Sequence, residues 1–266
     1  MLRRRTILAG LAASAALVPI AEICGCCGGA FAATGGVPQE PDVMRTKAGD
    51  LVIQPVNHAS VVLSFGSEVL YLDPVGGGDR YKAFNKPTAI LVTHAHPDHF
   101  DVPTLEAIAE SAKLIIAPQV VLDALPPGLK AKAKLMKNGD TGDVNGIPVS
   151  AVPAYNTTPD RLKYHPKGVG NGYVFTFGER KVYVAGDTED IPEMRTLTGI
   201  DVAFLPMNLP YTMTGEQAAS AVRVFSPKVV YPYHYGKDGP EPAKFAAAMK
   251  GANGIEVRQK DWYAYG

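Results

Sequence analysis

The sequence predicts an α/β protein in which two packed sheets lie between outer helices. Strand-like apolar runs occur in both halves of the 266-residue chain, and helical patterns alternate with them. The 27 glycines and 22 prolines supply the turns that frequent short connections require. No repeat of fixed period and no clear linker interrupts this alternation, so residues 51–266 are expected to form one domain.

The first half begins with strands and then alternates strands with helices. β-Branched enrichment predicts strands in "LVIQPV", "ASVVLSFG" and "EVLYLDPV". The apolar run "TAILVTH" is continuous, which is typical of a strand buried on both faces. Helical spacing of Leu105, Ile108 and Ala112 predicts a helix in "PTLEAIAESA". "KLIIAP" is a further strand, and "QVVLDAL" is a short helix.

The second half repeats the pattern. Strands are predicted in "IPVSAVPAYN", "DVAFLPMN" and "KVVYPYHYG", and a hairpin in "GYVFTFGERKVYVAGD" turns at Gly178 and Glu179. Thr214 and Gln217 form a capping box that begins the helix "QAASAVRVF". The segment "PEPAKFAAAMKG" is a helix ended by Gly251, and "IEVRQKDWYAY" is the last strand.

The N-terminus has the layout of an export signal over residues 1–32. Arginines precede an apolar run of small residues, Arg4 and Arg5 resemble a twin-arginine signal, and Ala30-Phe31-Ala32 offers a cleavage site. A membrane anchor is the alternative, but Pro19 and Glu22 interrupt an apolar run that is short for a span. We therefore expect an exported, periplasmic or extracellular protein that uses the twin-arginine machinery and keeps no membrane span.

Residues 33–50 are predicted to be a flexible tail. The three cysteines, Cys24, Cys26 and Cys27, all precede the cleavage site. Their spacing has no second cysteine pair and no nearby histidine, so it does not make a closed zinc site. The mature chain would then hold no thiol, and any metal site must use histidine and carboxylate donors.

A histidine cluster dominates the sequence "LVTHAHPDHFDVP". It holds three of the six histidines, His94, His96 and His99, together with Asp98. In an extended segment His94 and His96 share a face, and Pro97 forces a turn that can swing Asp98 and His99 toward them. Imidazole and carboxylate donors suit Zn²⁺, Fe or Mn²⁺. The spacing therefore predicts a metal site at the end of a buried strand, rather than a turn that is rich in histidine by chance.

The motif His94-Ala95-His96-Pro97-Asp98-His99 resembles the HxHxDH signature of the metallo-β-lactamase-fold metallohydrolases. "VYVAGDTED" and "VVYPYHYG" are similar to later motifs of that superfamily, and "NHASVVL" with "LYLDPV" resembles the opening strands of its lactonase-like, phospholipase D-like branch. The resemblance covers about residues 50 to 260. It implies a four-layer αββα sandwich with the site at one edge between two mixed sheets.

The resemblance also implies the ligands and the chemistry. His94 and His96 would bind one metal, Asp98, His99 and His234 a second, and Asp187 would bridge them. The cofactor would be one or two Zn²⁺ ions, with Fe or Mn as alternatives. A water activated by the metal would attack an ester, lactone, amide or phosphodiester bond of a small-molecule substrate. Asp98 would act in catalysis as well as in metal binding.

The sequence departs from the family at one ligand. The family usually supplies a third histidine to the first metal, but "VSAVPAYNTTPD" contains none, and Tyr155 or Asn156 occupies that position. His165, in the following loop "LKYHPKGVGNGY", is the candidate to stand nearby as a ligand or substrate contact. The alternative is an ordinary surface histidine in a loop rich in proline and glycine.

Four further residues are candidates near the site. His58 and Asp73 are expected to hydrogen-bond a ligand or the substrate, although each could equally be a structural turn residue. Tyr211 and Met213 follow a strand end that should face the site, so they are expected to line the pocket.

The composition separates the functional classes. The charge balance, 26 basic against 26 acidic residues, disfavours a nucleic-acid phosphodiesterase. A β-lactamase fits poorly because of the missing histidine and the "NHAS" opening. A non-catalytic metal- or ligand-binding protein on an altered site is the remaining alternative to a metal-dependent hydrolase.

Overall fold

The computed structural model describes residues 39–264, and within that range the chain forms two seven-stranded sheets. The first sheet holds β1 to β7 in chain order. Its strands are β1 (Asp42–Thr46), β2 (Gly49–Asn57), β3 (Ser60–Phe65), β4 (Glu68–Leu72), β5 (Ala89–Leu91), β6 (Leu114–Ala117) and β7 (Ala133–Leu135). β1 to β4 pair antiparallel, whereas β4 to β7 pair in parallel.

The second sheet has the same layout in reverse order, from β14 to β8. Its strands are β8 (Thr141–Val144), β9 (Ile147–Ala154), β10 (Gly170–Phe177), β11 (Arg180–Val184), β12 (Val202–Pro206), β13 (Val229–Tyr233) and β14 (Glu256–Val257). β8 to β11 are antiparallel and β11 to β14 are parallel. In each sheet the parallel strands therefore direct their carboxyl ends toward one edge.

Helices cover the outer face of each sheet. The helices are α1 (Val102–Ile108), α2 (Gln119–Ala124), α3 (Pro127–Lys130), α4 (Pro192–Arg195), α5 (Gly215–Phe225) and α6 (Glu241–Ala248). Leu105, Val121 and Leu129 bury the first three helices in an apolar cluster with the first sheet. Met194 and Phe245 anchor α4 and α6 in a second cluster, with α5, on the second sheet. No helix among residues 39–264 has the length and apolar character to cross a membrane.

The central core lies between the sheets. Leu51, Leu63 and Leu91 of the first sheet and Phe175 and Phe204 of the second belong to one cluster and are fully buried. Burying such a side chain contributes about 1.5–3 kcal/mol relative to exposure. Apolar side chains thus fill three interfaces in succession, and the predicted four-layer αββα sandwich is confirmed.

Most of the predicted strands and helices are present, although the sequence analysis did not predict the short elements α3, α4, β7 and β8. The Thr214–Gln217 capping box is present at the start of α5, and the hairpin between β10 and β11 turns at Gly178 and Glu179. The tail predicted over residues 33–50 is wrong in its second part, because residues 42–46 form β1 and pair with β2. The last strand is short, Glu256–Val257, because the chain then leaves the sheet toward Trp262. The predicted export signal lies outside the described residues.

Candidate metal centre

Polar side chains gather where the strands end. They lie in the segments that follow the carboxyl ends of strands: His58 follows β2, Asp73 follows β4, His94, His96, Asp98 and His99 follow β5, Asp187 follows β11 and His234 follows β13. Because the carboxyl ends of parallel strands meet at one edge, side chains that are distant in sequence meet there. The sequence-predicted motif is thereby completed by the second sheet.

The turn at Pro97 folds the histidine motif back on itself. The backbone N–H groups of His99 and Phe100 donate to the carbonyl of His96, at 2.9 and 2.8 Å. Proline fixes φ and donates no hydrogen bond, so the extended segment cannot continue. His99 is thereby fully buried, while Asp98 keeps 48% of its side chain exposed.

Gly186 brings Asp187 close to this turn. Its φ is 65°, and a Cβ there would lie 2.7 Å from the carbonyl oxygen of Asn171 and 3.1 Å from Cβ of Thr93. A larger residue would be strained and would push the two sheets apart at this point. Glycine before Asp187 therefore lets the carboxylate of the second sheet reach the histidines of the first.

Four donor atoms form a compact set, which we call the first donor cluster: Nε2 of His94, Nδ1 of His96, Nε2 of His165 and Oδ2 of Asp187. The Nδ1 atom of His96 is 3.0 Å from Nε2 of His94 and 3.2 Å from Nε2 of His165. Asp187 Oδ2 lies 3.2 Å from His165 Nε2 and 3.9 Å from His94 Nε2. Ligands at zinc distances on a tetrahedron are separated by about 3.3 Å, so the spacing suits a single four-coordinate ion.

His165 enters the first donor cluster from a loop and not from a strand end. Its Nδ1–H donates to the backbone carbonyl of Tyr211 at 3.1 Å, so Nε2 keeps its lone pair. Asn156, at the strand-end position, donates to the same carbonyl at 2.7 Å, and its backbone N–H donates to the carbonyl of His165 at 2.9 Å. Asn156 therefore lies beside His165 and hydrogen-bonds the loop that carries it. The His165 imidazole is the group that reaches the first donor cluster.

A buried carboxylate fixes the same loop. Glu189 is fully buried and accepts hydrogen bonds from the backbone N–H groups of Thr157 and Thr158, at 2.7 and 2.6 Å. It also pairs with the guanidinium of Arg161 at 2.7 Å. Burial alone would raise the pKa of Glu189, but these donors hold it below its ordinary value. The charge of Glu189 therefore ties the loop that carries His165 to the segment that carries Asp187.

Asp73 sets the proton positions on two histidines. It is fully buried and accepts from the Nδ1–H of His99, the backbone N–H of Thr93 and the Thr93 hydroxyl, each at 2.7 Å. The Thr93 hydroxyl donates to Asp73, so it can accept from the Nδ1–H of His94 at 2.9 Å. Both His94 and His99 therefore carry a proton on Nδ1 and direct Nε2 away from these partners, so that Nε2 is the atom available to bind metal.

The second donor cluster consists of Asp98, His99, Asp187 and His234. Asp187 Oδ1 is 3.3 Å from Nε2 of His99, and Asp187 Oδ2 is 3.3 Å from Nε2 of His234. Asp98 Oδ2 lies 3.2 Å from Nε2 of His234 and 3.9 Å from Nε2 of His99. Asp187 therefore belongs to both clusters: Oδ2 lies near histidines of both, and Oδ1 lies near His99.

Burial and charge set the protonation of the clusters. Burial lowers the pKa of His94 well below its ordinary value, and the neighbouring His99 lowers it further. Burial also acts to lower the pKa of His99, but Asp187 and Asp73 raise it well above the ordinary value. Burial would raise the pKa of Asp187, whereas His234 and His99 bring it well below its usual range. Without a bound metal these directions favour an ionised Asp187, a neutral His94 and a protonated His99, whose Nε2 proton a metal ion would replace.

His58 stands at the outer side of Asp98. Its Nε2 is 3.1 Å from Asp98 Oδ2, its Nδ1 is 2.7 Å from the hydroxyl of Tyr263, and its ring lies against that of His234 with centroids 4.0 Å apart. His58, Asp73 and His234 all have positive φ values, of 50°, 44° and 46°. Such conformations are uncommon for residues other than glycine and concentrate at functional sites.

Two sequence-based site residues lie elsewhere. Tyr155 is buried, and its hydroxyl donates to Glu193 at 2.9 Å and accepts from Lys167 at 3.2 Å, so it does not join the donors. Met213 is fully buried in the apolar cluster of the second sheet and does not line an open pocket. Tyr211 is 42% exposed and packs edge-to-face on Tyr164 with centroids 4.9 Å apart.

Sequence analysis missed three residues that organise the site: Thr93, Glu189 and Tyr263. Thr93 immediately precedes His94 at the end of a buried strand, and Glu189 follows Asp187 by two positions. Both stand beside recognised motifs, so a search of the flanking polar positions could have found them. Tyr263 lies 164 residues or more beyond the histidine motif, and no sequence pattern connects it to Asp98.

The residues present fit a metal. Nε2 of His99 and Oδ1 of Asp187 are buried and have no hydrogen-bond partner, although an unpaired buried polar atom is costly. They lie 3.3 Å apart and face each other, which is the arrangement of two donors to one ion. The donors are imidazoles and carboxylates, a set that suits zinc, iron or manganese.

Comparison with known sequences gives a consistent picture. A family model for the beta-lactamase superfamily domain matches residues 70–235. A Pyrobaculum arsenaticum protein named a metal-dependent hydrolase is 33% identical over 191 residues, covering 67% of this chain and 81% of its own. A Thermus thermophilus protein with the same description is 31% identical over 192 residues, covering 69% and 83%.

Comparison with solved structures extends the match. A crystal structure of a Parabacteroides distasonis protein superposes with a TM-score of 0.76 at 44% identity, covering 84% of this chain and 98% of that one. Because the match covers 84% of this chain, the two proteins share the fold.

Proposed function

The chain belongs to the beta-lactamase superfamily domain family, and from this premise we propose that it is a metal-dependent hydrolase of ester, lactone, amide or phosphodiester bonds. The observation that carries the proposal is the first donor cluster, in which four donor atoms face one another at 3.0 to 3.9 Å. The relatives named metal-dependent hydrolases support the same reaction class.

Zinc is the metal that the first donor cluster suits best. Three imidazole nitrogens and one carboxylate oxygen are borderline donors, and their spacing fits tetrahedral coordination. The second donor cluster, with two carboxylates among four residues, accommodates zinc, iron or manganese. We propose one ion per cluster, with His94, His96, His165 and Asp187 holding the first.

When bound, the metal would supply a hydroxide nucleophile at neutral pH and a Lewis acid for the oxygen on which charge develops. The protein residues have separate roles. His94, His99 and His165 keep Nε2 directed inward because Thr93, Asp73 and the carbonyl of Tyr211 hold their Nδ1–H groups. Preorganised donors need no rearrangement during the reaction.

Asp98 is the residue placed to handle a proton. It is 48% exposed, whereas Asp187 on the inner side is only 3% exposed. Burial would raise the pKa of Asp98, but hydrogen bonds from His234 and His58 lower it far below its ordinary value, so it stays ionised and can only accept. An entering water or substrate reaches this carboxylate first, which supports its assignment as the catalytic residue.

The outer loops suggest the character of the substrate. Four of the seven large apolar side chains that are exposed among residues 39–264 lie on two segments, 162–169 and 209–211. The first segment contains His165. In the second segment, the backbone carbonyl of Tyr211 accepts a hydrogen bond from the His165 ring. We propose that this rim receives an apolar or aromatic group next to the bond that is cleaved.

Two alternatives remain distinguishable. A nucleic-acid phosphodiesterase is disfavoured by the equal numbers of acidic and basic residues. A non-catalytic metal-binding protein would share the donor clusters and lack turnover. The first alternative predicts activity on single-stranded nucleic acid, and the second predicts bound metal without hydrolysis of any member of a broad panel.

The test is metal analysis combined with a hydrolase screen. The purified protein is stripped with a chelator, reloaded with Zn²⁺, Fe²⁺ or Mn²⁺, and assayed against aryl esters, lactones, amides and an aryl phosphodiester. We expect up to two equivalents of metal and turnover that chelator abolishes and metal restores. Less than one equivalent of metal, or full metal loading with no turnover, would contradict the proposal.

We further propose that the protein is exported, on the basis of the N-terminal sequence alone. A fusion of residues 1–38 to a reporter that is active only after twin-arginine export should reach the periplasm of a bacterial host. Replacing Arg4 and Arg5 with lysine should retain the reporter in the cytoplasm. Equal export of both fusions would contradict the proposal.

A further inference from the structure

We propose that Tyr263 and His58 form a relay that positions Asp98 for the second metal ion; this inference rests on the proposed function. Tyr263 and His58 are 205 positions apart in sequence, and His58 and Asp98 are 40 apart. Tyr263 Oη lies 2.7 Å from His58 Nδ1, and His58 Nε2 lies 3.1 Å from Asp98 Oδ2. The two contacts therefore form a hydrogen-bond chain through the His58 ring.

The direction of the hydrogen bonds follows from the groups. An ionised carboxylate only accepts, so His58 Nε2 must carry the proton that it shares with Asp98. His58 Nδ1 is then the acceptor, and the Tyr263 hydroxyl donates to it. His58 therefore presents an N–H where His94, His99 and His165 present a lone pair, so it orients a ligand and is not one itself.

The backbone holds His58 in this role. Its N–H donates to the carbonyl of Trp262 at 2.9 Å, and its own carbonyl accepts from the N–H of His234 at 3.0 Å. Its φ of 50° aims the ring outward from the end of β2, against the ring of His234. His58 thus connects the C-terminal segment directly to a residue of the second donor cluster.

The C-terminal segment is anchored well enough to act in this way. Trp262 is fully buried, and its indole N–H donates to the carbonyl of Pro232 at 2.7 Å. The backbone N–H of Tyr263 donates to Asp261 Oδ1 at 2.9 Å, and its ring packs edge-to-face on Tyr235. The position of the Tyr263 hydroxyl is therefore set by core packing beneath it.

Asp98 has a particular need for such a partner. It is the most exposed residue of the second donor cluster, with 48% of its side chain accessible, and the others are nearly buried. A carboxylate with this freedom loses rotamer entropy when it binds a metal. A hydrogen bond from His58 keeps one oxygen at the cluster before the ion arrives, which increases the affinity of the site.

The test uses Co²⁺ alone as the probe and the full chain as the protein. Chelator competition and the visible spectrum report the affinity and geometry of the first and second equivalents. Replacing an outer-shell partner typically weakens metal binding by about 10- to 100-fold. We expect Y263F to lower the affinity for the second Co²⁺ equivalent by about tenfold and H58A to lower it by up to about 100-fold. The affinity for the first equivalent should be unchanged.

Non-additivity is the decisive feature. If Tyr263 acts through His58, the double variant H58A/Y263F should match H58A alone. The matched control is Y235F, which removes a neighbouring tyrosine hydroxyl that donates to the carbonyl of Lys260, from a ring that packs against Tyr263. Should H58A fail to fold because of its backbone conformation, Y263F against Y235F still decides the question.

The outcomes separate the relay from the proposed function. A wild-type protein that binds no Co²⁺ would contradict the proposed function. Two equivalents in wild type with Y263F indistinguishable from wild type, or additive losses in the double variant, would overturn the relay alone. If H58A binds no second Co²⁺ ion while Y263F binds it as wild type does, His58 is a ligand and the relay is overturned. If wild type binds only one Co²⁺ ion, the relay has no site to act on and is likewise overturned.

Discussion

The two donor clusters share Asp187 but differ in how their other donors are held. In the first donor cluster, His94 and His165 direct Nε2 inward, and oxygen acceptors on Thr93 and Tyr211 hold their opposite nitrogens. In the second, Asp98 already accepts hydrogen bonds from His58 and His234. The first donor cluster is therefore arranged for an ion, whereas the second must exchange a hydrogen bond for a metal bond.

The two clusters also differ in the pKa values of their histidines. Burial lowers the pKa values of His94 and His96, so these two histidines of the first donor cluster are neutral. Burial also lowers the pKa of His234, whereas Asp187 and Asp73 together raise that of His99 against its burial. Neutral imidazole is the form that binds metal. One edge of the sandwich therefore holds a preorganised site and an adjustable one around a single carboxylate.

Removal of the shared carboxylate should have the largest effect. In D187A both clusters lose a donor, so we expect loss of both metal equivalents and of all hydrolysis, with the fold retained. Metal content and circular dichroism check this outcome. The matched control is D190A, because Asp190 is a nearby carboxylate that pairs with Arg195 outside the clusters. If D187A kept one tightly bound metal, the two clusters would not share Asp187.

Removal of His165 should separate the clusters. We expect H165A to lose the first equivalent and to keep the second, because His165 contacts the first donor cluster only. Metal titration followed by the spectrum of bound Co²⁺ makes the distinction. Full loading of H165A, with only a raised KM for substrate, would instead identify His165 as a substrate contact.

Weakening the loop that carries His165 should have a smaller effect on the same cluster. In E189Q an amide replaces the carboxylate that accepts from Thr157, Thr158 and Arg161, so we expect about a tenfold weaker first equivalent. The second equivalent should be unchanged. E193Q is the matched control, because Glu193 is more exposed and its partners are Tyr155 and Lys167.

The pH dependence of this loop follows from Glu189. Its pKa lies below the ordinary 4.5 in the folded protein because the N–H groups of Thr158 and Thr157 outweigh its burial. The stabilisation is therefore fully present above pH 4.5 and is lost as the pH falls through the lower, folded-state value. The protection factors of the Thr157 and Thr158 amides, which correct for intrinsic exchange rates, should fall in that acidic range in wild type and already be low at neutral pH in E189Q.

Truncation of the rim should have the smallest effect on metal. Tyr211 holds His165 through its backbone carbonyl, which Y211A retains. We expect unchanged affinity for both equivalents and a KM raised by roughly 10-fold for substrates with an apolar group. Kinetics on aryl and short alkyl esters of the same acid would check this. Loss of the first equivalent in Y211A would show that the side chain also holds the loop.

The predictability of the site varies between its parts. The spacing of the HxHxDH motif is itself specific, and the resemblance to the metallo-β-lactamase fold pointed to Asp187 and His234, which lie after β11 and β13. His165 was proposed from its position in a loop, and the structure supplies the reason that it reaches the cluster, namely Asn156, Glu189 and the Tyr211 carbonyl. Tyr155 and Met213, which were expected at the site, lie in the apolar cluster of the second sheet, because a residue near a strand end can equally turn outward into an apolar layer.

The amino-acid sequence was enough to predict the fold class, the order of most elements, the capping box of α5 and the residues that could serve as metal donors. Those features depend on local periodicity, turn chemistry and the donor atoms that each residue type carries. The tertiary structure sets which nitrogen of each histidine faces inward and which donors lie together. It also decided that β1 joins the first sheet and that Tyr263 reaches His58. These features arise from contacts between residues up to about 200 positions apart, whose pairing depends on how the two sheets pack and not on any local pattern.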